Sequence, residues 1–439
     1  MTATELSRAV KPSPFVGFVT ATLLVESILA GPLGVVIHGI RIRFFLLLLS
    51  CGILLAVTLM RGKVSRSHVF PILVIGGFLA LQITWATLVP IVQGTDLSHS
   101  IKEARSFLVI AMPVLVLTAC PATARERLLR RVQKVVAVAT LVVAVVQVAV
   151  WIVGTVEPQN QLVISLVLRR IFSIPEEEPF FVGPMEDGFF RILWVSSMWF
   201  LLAIFWLPMA VRGRRSLWLW RSVLILGVFV TYTRGFWIAL VVGGIVYQAA
   251  RLSFQNAMRE TIRAGVVLSV GLGALATLLL TTGQFDRAIE RLASTKSMKD
   301  ISISSRSRQA PYLLALWSKH PLIGSGYGAH SPEYVQPEVA KAAPYKYDHQ
   351  PLSFLAKLGI VGVALSGLFV ACWILTAWAR RQVAPNDSAA FLAGGSSLIL
   401  AGMTNPMLLT YVGMTITACL LLQWSHIVAS GPGFRMHSR

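Results

Sequence analysis

The chain has 439 residues, of which 55% are hydrophobic and 13% are charged, and its mean hydropathy is +0.71. A soluble globular protein carries about a quarter charged residues, so this composition predicts a polytopic membrane protein. The formal charge is +20, but the basic residues lie in short segments between apolar runs, which excludes a basic nucleic-acid-binding domain. The four cysteines have no Cys-x-x-Cys spacing, so neither a disulfide framework nor a zinc site is indicated.

The apolar windows predict an all-α polytopic membrane protein with about twelve transmembrane helices. Nine of these helices fall in residues 1–282, and the last three fall in residues 351–439, which end in a cytoplasmic tail. A large, partly helical polar segment at 283–350 separates the ninth helix from the tenth. No small-residue cleavage site follows the first apolar run, so the first helix is expected to be retained. In chain order the predicted helices cover residues 15–38, 43–60, 69–92, 105–121, 133–155, 190–210, 219–232, 235–250, 264–282, 351–378, 389–405 and 407–428.

The distribution of basic residues predicts how the helices are oriented. If the N-terminus is cytoplasmic, every inner loop carries more Lys and Arg than acidic residues, as the positive-inside rule requires. Both termini are then cytoplasmic, and the segments 156–189 and 283–350 lie on the outer side. The longer outer segment departs from the positive-inside rule, which indicates that its positive charge has another role, such as binding an anion. Its nine basic residues are Arg287, Arg291, Lys296, Lys299, Arg306, Arg308, Lys319, Lys341 and Lys346.

Arg234 lies at the predicted outer junction between two short helices, in the sequence Thr-Tyr-Thr-Arg-Gly-Phe-Trp. An arginine at the edge of the hydrocarbon is costly unless it is paired or reaches the interface. It either extends to the interface or pairs with a carboxylate such as Glu186 or Asp187, or its planar fork binds a phosphate. The residue alone leaves these alternatives open.

Arg306 and Arg308 precede an amphipathic run from Tyr312 to Trp317, which is expected to form a helix along the membrane surface. Two arginines in this position contact lipid headgroups or, together with Arg234, form a clamp for a diphosphate. Such a clamp would stabilise the charge that develops on a departing pyrophosphate.

His349 lies just before the predicted tenth helix, which has a proline at position 351. It either caps that helix or serves as a general base, the role in which histidine is most common near neutral pH. Asp348 is adjacent and is not expected to orient His349, because consecutive residues at a helix start seldom face one another. Tyr347, two residues before His349, is a candidate contact for a pyrophosphate or glycan.

Three glycines, Gly324, Gly326 and Gly328, lie between the basic segment and His349. No strand–helix unit surrounds them and no Lys-Ser/Thr pair follows, so dinucleotide and Walker motifs are excluded. A tight turn that returns the surface helix toward the membrane is the predicted structure.

Taken in order, these segments resemble the bacterial O-antigen ligase and O-antigen polymerase superfamily. The resemblance covers roughly residues 219–375, and Gln350 stands where the family usually has Asn. The matching motifs are Thr-Tyr-Thr-Arg-Gly-Phe-Trp at 231–237, Ser-Arg at 305–306 with His-Pro-Leu-Ile-Gly-Ser-Gly-Tyr-Gly at 320–328, and His-Gln-Pro-Leu at 349–352 with Leu-Gly-Ile-Val-Gly at 358–362.

The resemblance implies a membrane-embedded glycosyltransferase of the GT-C type in the bacterial inner membrane, acting in polysaccharide and lipopolysaccharide biosynthesis of the cell envelope. It implies a glycan donor on undecaprenyl pyrophosphate, a glycan or glycolipid acceptor, and an inverting reaction on the periplasmic side without metal or other cofactor. Arg234 and Arg306 would then hold the pyrophosphate, with Arg308 beside them, and His349 would activate the acceptor hydroxyl. Whether the protein is a ligase or a polymerase stays open.

Two other classes of protein remain as alternatives. A lipid-linked glycan transporter or flippase is expected to have broken helices with charges near the middle of the membrane. Here the predicted helices are mostly uninterrupted and charge gathers at the outer face. A structural scaffold would tolerate changes at Arg234 or His349.

Overall fold

The computed structural model describes residues 66–171, 181–184, 190–211, 213–251, 301–334 and 343–430, together with scattered residues between 21 and 59. The predicted helix at 264–282 and most of those at 15–38 and 43–60 lie outside the described residues. The described part is mostly helical. Its α-helices are α1 Arg66–Gln93, α2 Leu97–Ala104, α3 Ala111–Ala119, α4 Ala122–Val156, α5 Gln161–Ile171, α6 Met198–Ala210, α7 Arg214–Val230, α8 Arg234–Arg251, α9 Ile301–Lys319, α10 Gln350–Ala379, α11 Pro385–Thr404 and α12 Tyr411–Ala429.

Two short antiparallel hairpins and three 3₁₀ segments complete the described structure. The second hairpin lies within and beyond the predicted outer segment 156–189, where Val182 pairs with Ile192. The strands are β1 Val36–Ile37, β2 Ile40–Arg41, β3 Phe181–Pro184 and β4 Phe190–Leu193, and the 3₁₀ segments are Arg105–Ile110, Pro158–Asn160 and Val195–Ser197.

Four helices in the described part are long and apolar enough to cross a membrane: α1 from His68, α4, α10 and α12. The helices α6 and α7 are apolar but shorter. Each of these helices overlaps a segment that the sequence predicts as transmembrane. α12 lies deepest in the bundle, because 83% of its apolar window is buried, against 22% for α10.

Three predicted helices differ from the observed structure. Near the end of the predicted helix 15–38, Val36–Ile37 form β1 and pair with β2. Residues 105–121 form the 3₁₀ segment and then α3, and the break lies where Pro113 lacks the N–H that a continuous helix would use. Residues 190–193 form β4, whose Phe190 and Ile192 side chains are buried in one apolar cluster. A segment of four residues is too short for its pattern to separate a strand from a helix, which explains the wrong assignment.

The glycine-rich turn after α9 docks against an interruption in α10. Gly359 has a positive φ of 63° and breaks that helix. The carbonyls of Ala356 and Lys357 consequently accept hydrogen bonds from the N–H groups of Ser325, at 3.0 Å, and Gly326, at 2.9 Å. All three glycines of the predicted turn have positive φ, so the turn is confirmed. It holds the end of α9 against α10, the helix that begins immediately after His349.

Candidate active site

The first half of α9 contacts the residues that lead into α10. Gln309 accepts hydrogen bonds at its Oε1 from the backbone N–H of Asp348, at 2.9 Å, and of His349, at 3.1 Å. Ser305 donates its hydroxyl to Oδ2 of Asp348 at 3.1 Å. Asp348 therefore faces α9, in agreement with the expectation that it does not orient its neighbour. The backbone of His349 is held on both sides, because its N–H binds Gln309 of α9 and its carbonyl accepts the N–H of Ser353 of α10.

His349 precedes the first residue of α10, but its side chain makes no capping hydrogen bond. Its Nδ1 is buried and has no hydrogen-bond partner among the described residues. Burial lowers the pKa of His349 below its ordinary value of 6.5, and the positive charge of Arg306 lowers it further, while contact with its own backbone acts in the opposite direction. The imidazole is thus kept neutral, which is the form that accepts a proton.

Arg306 reaches from α9 to the end of α11. Its guanidinium donates a hydrogen bond to the carbonyl oxygen of Thr404, the last residue of α11. The side chain is half-buried, whereas that of Arg308 is exposed. A separation of two residues on a helix turns the side chains by about 200°, so the two arginines project in different directions. Arg306 is the one whose charge acts on His349.

Arg234 begins α8, the helix whose first turn lies against the same end of α11, and its side chain is half-buried. The two helices pack along each other, and the next residue, Gly235, touches Thr404 so closely that a Cβ at this position would overlap the threonine side chain. The suggested carboxylate partners Glu186 and Asp187 lie outside the described residues. Thr404 therefore connects the two predicted arginine positions: its carbonyl binds Arg306, and its side chain packs against Gly235, the residue after Arg234.

Tyr347 belongs to the loop that leads into α10, two residues before His349. Its ring is buried, and its hydroxyl accepts a hydrogen bond of 2.9 Å from the N–H of Ser331. Burial raises the pKa of Tyr347. Gln350 is also buried and donates its amide to the Tyr347 carbonyl at 2.9 Å. Both side chains stabilise the turn before α10, and contact between Tyr347 and a substrate stays a prediction.

A buried ion pair, which the sequence analysis missed, supports the same loop. Nζ of Lys357 lies 2.6 Å from Oε1 of Glu103 and donates to the Tyr345 carbonyl at 2.6 Å. Oε2 of Glu103 accepts the N–H of Gly328 at 2.7 Å. A lysine within an apolar helix was the available signal, because a charge there needs a partner.

Arg191 on β4 was also missed. Its Nε donates to the Thr231 carbonyl at 2.9 Å, and its Nη2 donates to Oγ1 of Thr233 at 3.1 Å. The guanidinium therefore binds the turn that leads directly into Arg234.

The chemistry of the arrangement follows from these contacts. The Arg306 guanidinium binds the end of α11, and the first turn of α8, which begins with Arg234 and carries the positive end of the helix dipole, packs on the same end. His349 lies within electrostatic range of Arg306. Arginine forks and helix N-termini both favour phosphate oxygens. The chemistry of these groups suits an anion beside the arginines and a proton at the histidine.

Residues 219–367 match the O-antigen ligase family model, which covers about a third of the chain. No curated protein matches the chain. The matched segment begins within α7 and ends within α10, so it contains Arg234, Arg306 and His349. The match lies in the same part of the chain as the ordered motifs and bears out the resemblance that they predicted.

Proposed function

We propose that this protein transfers a glycan from a polyprenyl pyrophosphate carrier, with undecaprenyl as the lipid, to a hydroxyl of a glycan or glycolipid acceptor. The family match supports glycosyltransferase activity of the O-antigen ligase type in the broad sense. The observation that carries the specific proposal is that Arg306 and the α8 turn that begins with Arg234 both meet Thr404, with His349 in range of the Arg306 charge.

In the proposed reaction the acceptor oxygen attacks the anomeric carbon of the donor sugar while a neutral nitrogen of His349 takes its proton. The new C–O bond forms as the bond from the anomeric carbon to the pyrophosphate oxygen breaks. The electron pair stays on that oxygen, and Arg234 and Arg306 stabilise the resulting charge. A single displacement of this kind inverts the configuration of the sugar.

Positive charge at the leaving group comes from the two guanidiniums, so the proposal includes no metal and no other cofactor. Arg306 has a second effect, because its charge lowers the pKa of His349 and keeps the base neutral. Arg306 and His349 are therefore expected to act as a unit. Arg308, which is exposed, is proposed as a peripheral contact for the donor.

The site is proposed to face the periplasm from the bacterial inner membrane, with both termini in the cytoplasm. Its support is the charge distribution of the loops. Arg234, Thr404 and His349 occupy helix ends that all fall on the predicted outer side. The opposite end of α11 holds a bidentate pair between Arg130 and Asp387, with both N–O distances 2.9 Å.

The proposal is tested by complementing a deletion strain with Arg234→Ala, Arg306→Ala or His349→Ala and resolving the surface glycan on a gel. Losing a general base costs about 10²- to 10⁴-fold in rate. Losing one group that stabilises the developing charge costs about 10²- to 10³-fold. Each variant is thus expected to abolish mature glycan at normal protein levels. Lys319→Ala, an exposed cation in the last turn of α9, is the matched control and is expected to behave as wild type.

Full complementation by both Arg234→Ala and His349→Ala would refute the proposal. The intermediate that accumulates also separates the two activities within the family. Single carrier-linked repeats would indicate a polymerase, and long carrier-linked glycan without its final anchor would indicate a ligase.

A further inference from the structure

The turn that leads into Arg234 has an unfavourable backbone conformation. Tyr232 has a φ of 52°, and no other non-glycine residue in the described part has a positive φ. For an aromatic residue the left-handed region costs free energy, so surrounding contacts must hold the turn in place. The ring of Tyr232 is fully buried and meets Trp237 edge-on, with centroids 6.1 Å apart.

Arg191 spans this turn with two hydrogen bonds. One goes to the carbonyl of Thr231 and the other to the hydroxyl of Thr233, so the guanidinium binds the residues on both sides of Tyr232. A planar fork suits this bridge, because two of its donors keep a fixed spacing. The side chain of Arg191 thus bridges the turn directly before Arg234.

The strand that carries Arg191 is itself firmly held. Phe190 and Ile192, its neighbours on β4, are buried with Trp151 and Tyr232 in one apolar cluster. Gln147 of α4 donates to the carbonyl of Ile192 at 3.0 Å. The backbone of Arg191 is therefore held in place by the packing of β4 and by its hydrogen bond to α4, independently of the turn that the guanidinium binds.

We propose that Arg191 is a positioning residue: it stabilises the left-handed turn at Tyr232 and thereby sets the direction in which Arg234 enters the active site. This inference rests on the proposed role of Arg234 in binding the pyrophosphate. It assigns to the β3–β4 hairpin a function in catalysis, because the hairpin presents Arg191 to the turn.

The first test is a double-mutant cycle on the purified protein in lipid nanodiscs, with a polyprenyl-pyrophosphate glycan as donor. A displacement of about 1 Å in a catalytic group costs about 10²-fold, so Arg191→Ala is expected to lower kcat/KM by about 10- to 100-fold. In an Arg234→Lys background, the same change is expected to alter kcat/KM by less than about 3-fold, because residues that act through one another are not additive. An equal loss in both backgrounds would overturn the inference.

A second measurement reads the turn directly. Hydrogen–deuterium exchange of residues 231–236 reports on two N–H groups: that of Tyr232, which binds the Phe229 carbonyl at the end of α7, and that of Phe236, which binds the Thr233 carbonyl, both at 2.9 Å. Arg191→Ala is expected to accelerate their exchange, and unchanged exchange would overturn the inference. If Arg234→Ala and His349→Ala both retain full transfer, the proposed function fails, whereas this exchange measurement still decides whether Arg191 holds the turn.

Two further variants guard against misfolding and against a general effect of the hairpin. Thr233→Val removes one acceptor of the two hydrogen bonds from Arg191 and is expected to reproduce part of the loss in kcat/KM. Thr233→Ser keeps the hydroxyl and is expected to retain activity. Ser165→Ala removes a hydrogen bond of 3.0 Å that ties α5 to the Val182 carbonyl of the same hairpin. It is expected to stay within about 2-fold of wild type, because it lies away from the turn. A loss with Ser165→Ala equal to that with Arg191→Ala would overturn the inference.

Discussion

The buried pair of Glu103 and Lys357 offers the clearest test of how the loop at the active site is held. Their side chains are 6% and 1% exposed, and Oε1 lies 2.6 Å from Nζ. Each of the two side chains also makes a hydrogen bond to the loop: Glu103 accepts the N–H of Gly328, and Lys357 donates to the carbonyl of Tyr345. The pair thus connects α2 and α10 to two points of the loop between α9 and α10.

The size of the effect follows from this burial. Lys357→Met leaves a buried carboxylate without its cation, and Glu103→Gln leaves a buried ammonium without its anion. Breaking a buried pair in this way costs about 3–5 kcal/mol. The glutamine retains an oxygen that can accept the Gly328 N–H, so the double variant loses both charges but keeps that hydrogen bond. We expect it to cost at least about 2 kcal/mol less than the sum of the single changes, a coupling typical of groups in contact.

The assay is thermal unfolding in detergent, followed by size-exclusion chromatography, for the wild type, both single variants and the double variant. Each single variant is expected to have a clearly lower midpoint, and the double variant a midpoint closer to wild type than additivity allows. Strict additivity, or single variants as stable as the wild type, would refute the view that this pair is a buried, mutually dependent unit.

Two further predictions concern the active-site base and the break in α10. Because the charge of Arg306 lowers the pKa of His349, we expect Arg306→Gln to raise that pKa and to move the acid limb of the relative pH–rate profile to higher pH. Arg306→Lys keeps the charge and is expected to leave the acid limb at lower pH than Arg306→Gln does. An acid limb that does not move in Arg306→Gln, or that moves to lower pH, would contradict this. Gly359→Ala puts a side chain at a positive φ and against the backbone of Leu322 and Gly324, so we expect a loss of at least about 2 kcal/mol in unfolding free energy. Gly367→Ala, in open space within the same helix, is the control and is expected to be neutral or slightly stabilising in the same measurement.

The transmembrane helices were predictable because a membrane demands long apolar runs, and those runs are visible in one sequence. The helix at 351–378, for example, differs from α10 by one residue at each end. Its interruption at Gly359 was not visible, because a helix and a kinked helix share the same hydropathy. The strand at 190–193 was missed since four residues are too few to show a period that separates strand from helix, and a long apolar run follows them directly.

The candidate site was predictable in its residue types but not in its assembly. Arg234, Arg306 and His349 follow from charge, position and ordered motifs, whereas Thr404 carries no chemical signal of its own. It lies 98 residues from Arg306, and only packing of α8 along α11 brings it to the turn that begins with Arg234. Glu103 and Lys357 are separated by 254 residues, a pairing that no local pattern encodes.

The central claim is that His349, Arg234 and Arg306 transfer a glycan and release the carrier pyrophosphate in one step. Its most direct test is a single-turnover experiment on purified protein, in which transferred glycan and released polyprenyl pyrophosphate are both quantified. The account predicts equal amounts of the two products for the wild type and for Lys319→Ala, and a loss of both together for His349→Ala and Arg306→Ala in folded protein. Release of polyprenyl pyrophosphate by His349→Ala at the wild-type rate would contradict it.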